Sequence, residues 1–150
     1  MIATELNTLI ETIVEDYQGL TFGGHYERPR INTYQGTYPA VFTFPFVKSG
    51  GNISPGSQPA NASGTWKINM WFVDLVDVDR TSEVSLAIIG TEQIKAEQFK
   101  QYLTQLEITN NIATYLSNWT IHSIYQDTVN NVAGVWVEFN YQDHNNIVIC

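Results

Sequence analysis

Cysteine is almost absent from this chain of 150 residues, and the single one, Cys150, is the last residue. That excludes an internal disulfide, and a prenylation signal needs a further tripeptide after its cysteine, so synthesis in a reducing intracellular compartment is expected. Basic charge is scarce as well: seven Lys and Arg stand against fifteen Asp and Glu, for a net charge of -8. Binding to a phosphate backbone rests on clustered cations, which argues against a reader of nucleic acid. No apolar run approaches membrane-spanning length, and the opening Met1–Leu6 carries an acid where a secretion signal carries bases. The chain is therefore expected in solution, with no membrane partner. Asn61-Ala62-Ser63 and Asn118-Trp119-Thr120 match the glycosylation pattern, which without secretion carries no weight.

Recognisable catalytic patterns are missing too. His25, His122 and His144 fall in different segments, with no HExxH and no cysteine beside them. Gly23-Gly24 and Gly50-Gly51 are not followed by the Lys of a phosphate-cradling loop. Asp74, Asp77, Asp79 and Glu83 make the one dense carboxylate group, but the Gly and distal Glu of a calcium loop are absent, so a solvated strand end is the expectation. No catalytic residue, cofactor or metal is expected, and the chain reads as a non-enzyme.

What the chain has in quantity is apolar and aromatic surface: 43% hydrophobic and 13% aromatic residues, with only 15% charged. One domain spanning 1–150 is expected, long enough to bury a core without disulfides. Its organising stretch runs from Tyr38 to Asp79. In the first limb Tyr38, Phe42, Phe44 and Phe46 alternate onto one face. Pro39 and Pro45 lack ladder donors, so this limb is expected at an edge or with a bulge, and those four aromatics become the candidate subunit-contact edge. In the second limb, Thr65 to Asp74, Trp66, Ile68, Met70 and Phe72 share one face while Thr65, Lys67, Asn69 and Trp71 share the other. Between the limbs, 48–64 is rich in Gly, Ser and Pro and holds almost nothing to bury, which makes it a flexible arm for reaching beyond its own subunit. The candidate docking residues are Lys48, Gly50, Ile53, Pro55, Gln58, Pro59 and Gly64.

Before this hairpin, Ile2, Leu6, Leu9, Ile10, Ile13, Val14 and Tyr17 recur at helical spacing, and Gly19 is placed to end the helix. An edge strand or extended loop is expected around Tyr26 to Thr33. After the hairpin, Val84 to Leu106 carries a second amphipathic stripe ending near Glu107. Gly90-Thr91 interrupts it, so the part before Glu92 reads as either helix or loop, and Glu92, Lys95, Glu97 and Lys100 read as a solvated face. A second hairpin joins a strand at Trp119 to Gln126 with one at Gly134 to Tyr141, and a polar tail with a β-prone end follows at 142–150. The fold class is thus α+β: an antiparallel sheet of about four strands with two main helices on one face. Trp66 and Trp71 point to opposite faces and Trp136 opposes the Val135, Val137, Phe139 stripe, so a coplanar aromatic platform for sugars is not expected.

This order of helix, long-armed hairpin, helix and second hairpin resembles the tail terminator, tail-completion and neck ring proteins of tailed bacteriophages. Asp127 to Phe139, with Ala133-Gly134-Val135 opening an alternating strand, is similar to the family's ending, and Asp74 to Arg80 before an amphipathic helix is similar to its hairpin-to-helix junction. The Gly/Ser/Pro-rich arm and the Cys-ended tail depart from it. The resemblance implies a homo-oligomeric ring in the virion, sixfold in tail terminators or twelvefold in neck rings, next to portal, neck or tail proteins, with DNA only passing through its channel. It brings no catalytic residues. The alternative reading is a small carbohydrate- or receptor-binding module using exposed Trp and Tyr.

Overall fold

The computed structural model describes residues 2–27, 31, 34–49, 64–76, 82–109, 116–127 and 131–143. Helix α1 (Ala3–Thr12) continues through a π-helical turn at Ile13–Tyr17. Its first N–H groups are served locally, since the Glu5 carboxylate accepts from the Ile2 N–H at 2.9 Å. Leu6, Ile10, Ile13 and Val14 are buried, as the spacing predicts, while Ile2 and Tyr17 at the ends stay exposed.

Strands β1 (Thr21–His25), β2 (Ala40–Thr43), β3 (Val47–Ser49), β4 (Gly64–Leu75), β5 (Leu116–Asp127) and β6 (Val132–Asp143) form one sheet in the order β1-β2-β4-β6-β5, with β3 also on β4. The sheet is mixed because β1 runs parallel to β2; the other pairings are antiparallel. The α+β class and the helices on one face hold, whereas the expected sheet of about four antiparallel strands is in fact six-stranded. The additional strand β1 lies over Gly23-Gly24, earlier than the expected 26–33. A Cβ on Gly23 would come within 2.3 Å of the Phe42 ring, so the missing side chain is what lets β1 lie against β2.

The first limb of the long hairpin is broken in two. Three residues, Phe44 to Phe46, face two on β4, Ile68 and Asn69, which makes a bulge. Pro39 and Pro45 sit just outside the Ala40–Thr43 ladder, so neither withholds a donor from it. The bulge also inverts the pleat. Phe42 and Phe44 join one side of the sheet, and Phe46 packs on the other, against Trp66. The four aromatics therefore do not share a face, and β2 is no edge, being paired to β1 and β4.

Helix α2 (Ser82–Thr109) runs unbroken through Gly90-Thr91. Thr91 is no cap; its hydroxyl donates back to the Ala87 carbonyl at 3.2 Å. Ser85, Ile89, Glu92, Ala96, Phe99 and Leu103 form the buried stripe, so Glu92 belongs to the core side and not to the solvated face expected of it. Phe99 is fully buried between Phe72 of β4 and Phe139 of β6, with ring centroids at 6.1 and 6.3 Å. Trp66, Ile68, Met70 and Phe72 face the helices together with Val135, Val137, Phe139 and Tyr141, as the alternation predicts. Among the described residues no helix is long and apolar enough to cross a membrane.

Candidate functional site

The helices cover one face of the sheet, so the other face and the two edges are where outside contacts are available. Half of that second face is closed by the segment before β2. Tyr26, Ile31, Tyr34 and Tyr38 gather around Phe42, with Tyr34 edge-on to it at 5.0 Å. Burial and the neighbouring Tyr34 and Tyr26 push the Tyr38 phenol up to about 12, so it stays neutral. Tyr38 and Phe42, both assigned by sequence to a contact edge, thus belong to an internal cluster.

The remaining half is open. Phe42, Trp71, Trp136 and His122 are direct cross-strand partners from β2 through β4 and β6 to β5, forming an aromatic row across the sheet. Asn69, Glu138 and Thr120 make the next row. Trp71 packs edge-on against Phe44 at 5.2 Å, and Trp136 lies over His122 at 4.7 Å and 31°. A cleft of about 240 Å³ remains, lined by Phe44, Pro45, Asn69, Trp71 and Trp136. Asn69 Oδ1 is buried there with no hydrogen-bond partner. The expectation of no coplanar aromatic platform rested on parity within each strand, and across strands Trp71 and Trp136 do share a face. Parity within one strand cannot say which face of β6 aligns with which face of β4.

Two further groups hold polar chemistry. His25 Nδ1 lies 2.9 Å from Thr43 Oγ1, whose hydroxyl donates to Asn7 Oδ1 at 3.0 Å, tying β1 and β2 to α1. The ring of His25 stacks near Phe46 at 4.8 Å beside a cleft of about 300 Å³, and burial lowers its pKa. On α2, the buried Glu92 accepts from Lys95 Nζ at 2.8 Å, and its carboxyl is held above the ordinary value mainly by burial. The Thr43 hydroxyl beside the His25 ring is fully buried and donates to Asn7. Asp74 Oδ1 accepts from the Leu75 N–H, and Asp77 and Asp79 lie outside the described residues.

At the arm, Lys48 and Gly64 prove to be ladder residues. Lys48 pairs with Trp66 and sets its ammonium 5.1 Å from that ring, and Gly64 pairs with Asp143. Gly50, Ile53, Pro55, Gln58 and Pro59 lie outside the described residues, as do His144 and the tail from 144 on. Residues 142 and 143, expected in that tail, belong to β6.

The sheet ends in β1 on one side and β5 on the other. β5 begins earlier than its alternation predicts, at Leu116, and is bulged after Ser117 and after Ile124, with Asn118 at φ 55. Leu116, Trp119 and Ile121 pack toward the helices, while Thr120, His122, Ser123 and Tyr125 are exposed. No protein-family model and no curated protein matches this chain.

Proposed function

We propose that the protein is a non-enzymatic structural component of a tailed-bacteriophage particle, one subunit of a closed ring at the head–tail junction around the DNA channel. The tail terminator, tail-completion and neck ring proteins that the sequence resembles set the class. The observation that carries the assembly is the pair of unlike edge strands. A ring closes through heterologous contacts, in which one patch meets a different patch on the next copy. This sheet offers β1 and β5 at opposite ends, and among the described residues no strand pairs with the outer side of β5. Unpaired N–H and C=O groups along an edge of twelve residues favour pairing with another chain. Residues 50–63 carry no charge and little to bury, which suits an arm reaching the next subunit or the adjacent portal, neck or tail protein. The net charge of -8 lets DNA pass without being held.

Native mass spectrometry and negative-stain microscopy of the purified chain and of assembled particles test this. Rings in solution or in the particle neck are expected. A strict monomer at all concentrations, together with absence from particles, refutes it.

A further inference from the structure

The cleft between the two tryptophans lies in mid-sheet on β4 and β6, away from both edge strands, so what it binds is independent of ring assembly. Directly opposed residues of an antiparallel pair have side chains close enough to touch, and aromatic pairs gain by doing so. Trp71 and Trp136 are such a pair, yet each packs on a different neighbour, Phe44 and His122 respectively. The cleft lies against both indoles, and the polar groups on this side of it are the Asn69 amide, which donates as well as accepts, and the neighbouring Glu138 carboxylate, which accepts. Asn69 Oδ1 is buried without a donor, and the half-buried Glu138 carboxylate on the opposing strand lies 3.5 Å from His122 Nε2. A carboxylate accepts and an amide both donates and accepts, so the fitting occupant carries hydroxyls as well as an apolar face.

We propose that this cleft binds one neutral pyranose ring of a glycan. A pyranose presents C–H faces to the indoles and hydroxyls at its rim to the Asn69 amide and the Glu138 carboxylate. A run of prolines would match the aromatic walls but brings no N–H, and a quaternary ammonium brings no donor at all. An acidic sugar would meet Glu138. The volume of about 240 Å³ falls just below the range of drug-sized pockets, which suits a single ring over a longer ligand.

The test is titration of the full chain with glucose, galactose, mannose and N-acetylglucosamine, followed by tryptophan emission and by saturation-transfer NMR on the sugar. At least one sugar is expected to saturate with a dissociation constant on the order of millimolar, with transfer strongest to ring C–H protons. Trp136→Ala is expected to weaken it at least tenfold. Asn69→Leu, which keeps the side-chain size, should weaken it several-fold with an unchanged circular dichroism spectrum and a melting temperature that is not lowered, so that the reading does not hang on the tryptophan variant folding. No saturable response to any of the sugars overturns the proposal. So does binding that survives both substitutions, or a cleft that takes a proline-rich peptide or tetramethylammonium in place of every sugar.

Discussion

Glu92 is the residue whose environment departs furthest from its type: a carboxylate on the buried stripe of α2, partnered by Lys95. Burial raises its folded pKa above the ordinary 4.5, with the Lys95 hydrogen bond only partly offsetting this. The folded state then binds more protons than the unfolded one, so stability present below 4.5 is lost as pH rises through the folded value. Glu92→Gln keeps an acceptor for Lys95 and removes the titration. Melting measured from pH 4 to 8 is expected to show the variant gaining on the parent as pH rises, and a constant difference between them would contradict this. Gly134 is a second special residue. At φ 155, its Cβ would lie 2.1 Å from the Phe72 carbonyl oxygen on β4. Gly134→Ala is expected to cost about 3 kcal/mol in chemical denaturation, from the backbone clash and the conformation together. The Ala133-Gly134-Val135 string that carried the family resemblance has, in this fold, a local packing cause.

At the level of elements, α2 shows how a breaker signal loses to burial. Gly90 weakens a helix intrinsically, but Ile89, Ala96, Phe99 and Leu103 hold the segment to the sheet from both sides of it. Gly90 itself is exposed, with nothing within 4 Å of where a Cβ would sit. Gly90→Ala is therefore expected to stabilise by about 0.5–1 kcal/mol, read as a melting temperature raised by a few degrees. Phe99 marks the opposite limit. Truncating it to Ala removes the contact to both Phe72 and Phe139, and a loss of about 3–5 kcal/mol is expected by urea unfolding. Strand β1 was illegible for a related reason: two glycines and weak alternation hide a short strand whose stability comes from its parallel neighbour, β2.

For the molecule as a whole, the prediction concerns which surfaces meet other copies. Thr120→Lys with Tyr125→Lys places charge on exposed positions of β5 without touching the core. Melting should stay within a degree or two, while rings seen by native mass spectrometry and incorporation into particles should fall sharply; full incorporation would show that β5 is not a contact edge. Replacing residues 50–63 by a short Gly linker should likewise spare the fold, since the pairing of Ser49 with Thr65 already sets the hairpin register. Sequence by itself determined the α+β class, the helical stripe of α1 and the helix-facing sets on β4 and β6. Those are periodicities, which neighbouring residues fix among themselves. Tertiary structure alone decided the rest. Pairing of β1 with β2 made an apparent edge internal, the bulge at Phe44 to Phe46 split the aromatic set between faces, and cross-strand register put Trp71 beside Trp136. Each depends on how one strand aligns with another far away in the chain, and a shift of one residue there sends every side chain to the opposite face.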